Sequence, residues 1–181
     1  LRNAQILRDP IQLHTAAVTL GACQLAAERY KEARSILEPN LELSQRSHDP
    51  HMISHILLLL SEVCLHQYDA AAAVRYSEQL MQSSRQLKIP EVWTRTLRLR
   101  GQSLLLARQA DKALPLLEAS HKWAQHLGFD TLADYFHSPI LADKAIIHAA
   151  LGRAYQQVGT WSPAQQHLEA ALNLYQFVDS K

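Results

Sequence analysis

Residues 151–171, LGRAYQQVGTWSPAQQHLEAA, hold a complete helix stop and start in one short stretch. Gly159 suits the left-handed conformation that ends a helix. Ser162 has the side chain of an N-cap, and Pro163 fits the first turn of the helix that follows. On both sides of this break the small and apolar residues recur three and four apart, the spacing of one helix face: Gly152 and Tyr155 before it, Ala164, Leu168 and Ala171 after it. The stretch predicts two amphipathic helices joined by a tight turn.

The same hairpin recurs along the chain. Small residues at Gly21, Ser61, Gly101 and Gly152 are each followed twelve residues later by an alanine, at Ala33, Ala73, Ala113 and Ala164. The first three units start forty residues apart and the fourth follows after fifty-one, while Pro10, Pro50 and Pro90 keep the spacing of forty. A fixed period of this kind marks stacked units, none of which can bury its apolar face alone. In the third unit Leu97, Gly101, Leu104 and Ala107 stripe the first helix, and Ala113, Leu117, Ser120 and Ala124 stripe the second. A small residue facing an alanine lets the two helices of a hairpin approach closely. Prolines between units turn the preceding residue away from the helical region. Pro39, inside a second helix, predicts a kink, whereas Pro115 near the start of its helix is better tolerated.

The expected fold is therefore all-α, an α-solenoid of stacked antiparallel helix pairs over a single domain, residues 1–181. Residues 1–10 read as the second helix of a preceding repeat, with Leu1, Ala4 and Leu7 as its inner stripe capping the helix that carries Gly21. On this reading the chain was cut from a longer array. Repeats follow at 11–50, 51–90, 91–129 and 142–181, with an insertion at 130–141.

The pattern in the fourth unit, Leu151, Gly152, Tyr155, Ala164, Leu168 and Ala171, resembles the tetratricopeptide repeat. The other units keep less of it: Leu20, Gly21, Ala33 and Leu37; Leu60, Ser61 and Ala73; Gly101, Ala113 and Leu117. The family's unit has about 34 residues, and extended units like these are similar to those of bacterial signalling ATPases and maltose-activator-type transcription regulators. They are also similar to the repeats of anaphase-promoting complex subunit five and of the cohesin loader's smaller subunit. The resemblance implies a right-handed superhelix that binds proteins or peptides on its concave face and has no chemistry of its own.

Composition agrees with a helical, folded chain: 48% of residues are apolar and 19% charged, too hydrophobic for disorder, with too few turn formers for a hairpin-rich β domain. The net charge of +1 gives no general attraction to nucleic acid or acidic membranes. The longest apolar run, Ile56 to Leu60, is far short of the roughly 20 residues that span a bilayer. With no basic-then-apolar leader, a cytoplasmic protein is expected, or a nuclear one in a eukaryote. Cys23 and Cys64 read as two small residues of a reduced core.

Stacked hairpins of this kind line an inner groove with their first helices, which makes that stripe the first candidate surface. In the third unit it carries Arg95, Arg98 and Gln102; neighbouring first helices add His55 and Glu62 on one side, Arg153 and Gln156 on the other. Guanidinium and amide groups there suit a protein or peptide partner with acidic groups. Arg100 falls where the other units have Leu20, Leu60 and Leu151, so its stem is expected to cover the seam or its charge to meet an acid. The insertion is the second candidate, with Tyr135 and Phe136 as a possible aromatic anchor or gap filler. His51 and His55 lie one turn apart but lack the His-Glu-x-x-His pattern, and no phosphate loop, G-x-S-x-G turn or carboxylate pair occurs. No catalytic residue, metal or cofactor is expected. The function predicted is a non-catalytic interaction scaffold within a larger regulatory assembly; the alternative is a ligand-sensing segment of a signalling ATPase or transcription activator.

Overall fold

The computed structural model describes residues 10–127 and 139–179, and every described element is an α-helix. In chain order these are α1 (Pro10–Ala26), α2 (Tyr30–Ser47), α3 (Pro50–His66), α4 (Ala70–Leu87), α5 (Pro90–Leu106), α6 (Ala110–His126), α7 (Pro139–Val158) and α8 (Trp161–Asp179). They belong to two compact units, Leu1–Leu87 with α1–α4 and Lys88–Lys181 with α5–α8. In the first, each helix packs on the next and α1 also meets α3; in the second, the same holds, with α5 meeting α7. Each unit is thus two stacked hairpins whose first helices lie side by side, the α-solenoid class expected from the repeat. The residues read as the end of a preceding repeat, 1–9, lie outside the described residues, as do 128–138.

Pro10, Pro50, Pro90 and Pro139 each open a first helix, where the missing N–H has no intrahelical partner to lose. Asp49 caps α3, its Oδ1 accepting from the His51 and Met52 amides at 3.0 and 3.1 Å. The turn inside every hairpin is the same. Seven residues after the small residue stands a left-handed one: Glu28 (φ 59°), Tyr68 (φ 56°), Arg108 (φ 59°) and Gly159 (φ 87°). The next amide closes the turn onto a carbonyl five residues back, Arg29 to Gln24, Asp69 to Cys64, Gln109 to Leu104 and Thr160 to Tyr155, at 2.8–3.0 Å. The cap expected at Ser162 falls instead on Thr160, whose carbonyl accepts the first bond of α8 from Ala164 at 3.3 Å.

The close approach within a hairpin comes from a different pair than glycine and alanine. A methyl group on Gly21, Gly101 or Gly152 would stand 2.5–2.7 Å from Leu37, Leu117 or Leu168, sixteen residues on. The leucine lies over the glycine, and the alanine contributes backbone nearby. The second hairpin has Ser61 in place of the glycine and, at the same offset, Ser77 in place of the leucine, both buried. Bulk is removed from one helix when it is added to the other, as close packing requires.

α2 runs unbroken through Pro39. Pro115 is the sixth residue of α6, past the first turn, so the bond it forgoes is the one to the exposed Asp111. No described helix is long and apolar enough to cross a membrane.

Candidate functional site

Arg95, Arg98 and Gln102 are three and four apart on α5 and so share one face. The packing of α5 on α7 brings Asp143 to them. Arg95 Nε donates to Asp143 Oδ2 at 2.8 Å, Arg98 Nη2 lies 3.2 Å from Asp143 Oδ1, and Arg98 Nη1 donates to Gln102 Oε1 at 3.1 Å. Arg98 is buried, whereas the Arg95 side chain is 40% exposed. Two guanidinium groups therefore share one carboxylate, the inner one held in place and the outer one facing solvent. Breaking a buried pair of this kind leaves an uncompensated charge, so Arg98 is a structural residue of the face as well as a candidate contact.

Asp143 was not among the residues singled out from the sequence. Its signal is positional: at the same place, nine residues before the small residue, the other first helices carry Gln12, Met52 and Val92. An acid at a position where its equivalents are uncharged suggests a cation on the adjoining first helix.

Arg153 and Gln156 are exposed on α7. In the first unit His55 is exposed and Glu62 half-buried on α3, at the positions that Arg95 and Gln102 occupy on α5. Tyr135 and Phe136 lie outside the described residues. Arg100 is half-buried. Cys64 is buried, which pushes its thiol up to about 11, but Cys23 stands on the surface, contrary to its expected place in the core. Its position on α1 has Val63, Ser103 and Ala154 as equivalents, all buried.

Two further polar clusters lie at the seams between hairpins. In the first unit Arg34 Nε donates to Glu38 at 2.7 Å and its Nη1 to Asp69 at 2.9 Å, and the Tyr76 hydroxyl donates to Glu38 at 2.7 Å. Burial alone would raise the Glu38 carboxyl, but the hydrogen bonds from Arg34 and Tyr76 outweigh it and hold the group below its ordinary value. In the second unit three imidazoles meet: His121 of α6, His148 of α7 and His167 of α8, with ring centroids 4.7–5.8 Å apart. His148 Nδ1 and His167 Nδ1 are 2.9 Å apart, one of them donating. Tyr155 stacks on His167, centroids 5.6 Å apart and planes within 7°, and donates its hydroxyl to Glu118 at 2.6 Å. Sequence spacing gave no sign of this cluster, because its members come from three helices. Among the described residues no group of three His, Cys, Asp or Glu side chains is placed to hold a metal ion.

No protein-family model and no curated protein matches the chain. Among solved structures it is similar to BtubC (BKLC) from P. vanneervenii, with a TM-score of 0.55 and 15% identity over 99% of this chain and 87% of that one. At that identity the likeness speaks for the helical-repeat fold alone.

Proposed function

We propose that the chain is a non-catalytic interaction scaffold, a tetratricopeptide-like segment that holds a protein or peptide partner with acidic groups against its first helices. The observation that carries this reading is the unequal sharing at Asp143. There the guanidinium groups of both Arg95 and Arg98 reach one carboxylate between α5 and α7. Asp143 takes the Nε–H of Arg95, and a guanidinium has further donors in a fork that suits a carboxylate. Arg98, fixed by Asp143 and Gln102, sets the position of the carboxylate that Arg95 shares, so the outer guanidinium is presented rather than left to wander.

The remaining polar clusters favour binding over catalysis. Glu38 and Glu118 each accept a tyrosine hydroxyl, and Asp69 accepts from Arg34 and the Ala72 amide, which is the work of holding helices together. A partner rich in Asp and Glu is the class that the Arg95 face fits.

The test is fluorescence polarisation with labelled peptides of equal length and graded Asp/Glu content. Affinity is expected to rise with acidic content and to fall with added salt. Arg95→Glu is expected to weaken the acidic peptides at least about tenfold, the size of a charge-assisted pair turned repulsive. Acidic peptides that bind Arg95→Glu as tightly as the unaltered chain would remove this face from consideration.

A further inference from the structure

The three imidazoles of the second unit stand where the first places apolar side chains. Counted from the small residue of each hairpin, His121, His148 and His167 are equivalent to Leu41, Leu57 and Tyr76. Those three are buried, and of them only Tyr76 has a polar group, its hydroxyl donating to Glu38. The second unit thus exchanges an apolar filling for three titratable rings where α6 meets the α7–α8 hairpin. Packing gains nothing from the exchange, because a half-buried imidazole costs free energy unless it is hydrogen-bonded. What it supplies is a set of groups that change charge between about pH 5 and 8.

The hydrogen bond limits how many protons the cluster holds. His148 Nδ1 and His167 Nδ1 are 2.9 Å apart, so one nitrogen carries the hydrogen and the other accepts it. A first added proton goes to Nε2 of the donor ring and leaves that bond intact. A second has to go to the accepting Nδ1, which ends the bond and sets two like charges side by side. His121 meets both rings edge-on, centroids 4.7 and 5.8 Å away, so each of them opposes a proton on it. The surroundings give little relief. Lys144 of α7 adds its positive charge near His148, and α5, which also packs on α7, brings Arg95 and Arg98 with the Asp143 carboxylate between them. Glu118 of α6 favours a proton on His167, but burial outweighs it, and this carboxylate already accepts the Tyr155 hydroxyl.

We propose that the three histidines are a proton-operated latch between the two hairpins of the second unit, closed while the rings are neutral and opened when more than one of them is protonated. On opening, α7 stays with α8, its own hairpin partner, and parts from α5 and α6. α7 carries Asp143, so opening also withdraws the carboxylate that Arg95 and Arg98 share. The first unit, with Leu41, Leu57 and Tyr76 at the same places, lacks these groups. The latch does not depend on the acidic-partner reading of α5 and α7, and its test needs no partner.

Thiol accessibility on the buried face of α7 tests it in the whole chain. With Cys23 replaced by Ser and Ala150→Cys introduced, a pyridyl disulfide reagent reaches position 150 through opening, while Cys64, buried in the first unit, is the internal reference. Rates are corrected by those of a free thiol at each pH. Between pH 7 and 5 the reactivity at position 150 is expected to rise about twentyfold, the factor for one imidazole whose pKa goes from about 4 in the closed seam to the ordinary value of about 6.5 in the open one. At most a few-fold rise is expected at Cys64, with helix content unchanged by circular dichroism. His121→Leu, His148→Leu and His167→Tyr together give the second unit the side chains of the first and are expected to remove the rise; His148→Gln alone, the milder change, is expected to remove most of it. Equal protection at pH 7 and 5, a rise that His148→Gln keeps, or a rise matched at Cys64 overturns the proposal. Helix content lost in step with the rise overturns it as well, since the unit would then be unfolding as a whole.

Discussion

Glu38 and Glu118 stand at the same place in the repeat, seventeen residues after Gly21 and Gly101, and meet different company. Each accepts a tyrosine hydroxyl, from Tyr76 of α4 in the first unit and from Tyr155 of α7 in the second. Glu38 also has Arg34, which reaches on to Asp69; at the equivalent position of α6 stands Leu114. Beyond Tyr155 come three imidazoles instead. The repeat sets where a carboxylate sits at the seam, while the neighbours decide whether ions or neutral rings surround it. The two units should therefore answer differently to acid and to salt.

Acid is the largest test. Burial, then the charges of His121, His167 and Lys144, push His148 down to about 4, and burial lowers His167 as well. Unfolded histidine takes its proton near 6.5, so stability present above that pH is lost as pH falls toward 4, by up to about 2 kcal/mol for His148 between pH 7 and 5. In the first unit Glu38 and Asp69 are held below their ordinary values, so their contribution is lost only as pH falls below the usual carboxylate range. Hydrogen exchange at pH 7 and 5, corrected for the intrinsic rate, is expected to quicken most in α7 and α8, less in α3, where burial lowers His55 as well, and to hold steady in α2. Equal quickening in both units would break the comparison, and His148→Gln is expected to flatten the response.

Arg34→Met comes next. It removes the cation from both Glu38 and Asp69 and is expected to cost about 1.5 kcal/mol, given a partly exposed network. Urea unfolding should show the loss shrinking in high salt, and carboxyl titration by NMR should show Glu38 moving up. A smaller difference separates the tyrosines. Tyr155→Phe takes the hydroxyl from a carboxylate with no arginine beside it and should cost about 1 kcal/mol. Tyr76→Phe leaves Glu38 its bond to Arg34 and should cost less. Reversal of that order would mean that the ring stack on His167, which phenylalanine keeps, carries the Tyr155 contact.

The turns give the finest comparison, because one conformation is occupied by three side-chain-bearing residues and one glycine. Tyr68→Gly is expected to raise the melting free energy by about 0.5 kcal/mol, and Gly159→Ala to lower it by a similar or larger amount. Thermal melts at neutral pH suffice.

The helices and their period were legible because steric demand repeats: Gly21, Gly101 and Gly152 each receive a leucine, and that requirement leaves a mark at fixed spacing. The turn was legible in one copy of four, since only Gly159 advertises a left-handed residue; Glu28, Tyr68 and Arg108 adopt it because the helices on either side impose it. The arginine stripe could be read from α5 alone. Its partner Asp143 could not, being forty-five residues from Arg98 and placed only by the packing of α7 on α5. The imidazole cluster was hidden for the same reason, with His121, His148 and His167 on three helices.

The glycine–leucine seats have a kinetic side. Each is closed by residues sixteen apart, so a hairpin can form its tightest contact over a short loop, before any other hairpin is in place. Chains dominated by such local contacts fold in microseconds to milliseconds. The Ser61–Ser77 hairpin closes over the same span but brings no leucine to the seat. It is the hairpin to watch for late formation: folding followed at α3 and α4 should lag behind folding followed at α1 and α2 or at α5 and α6.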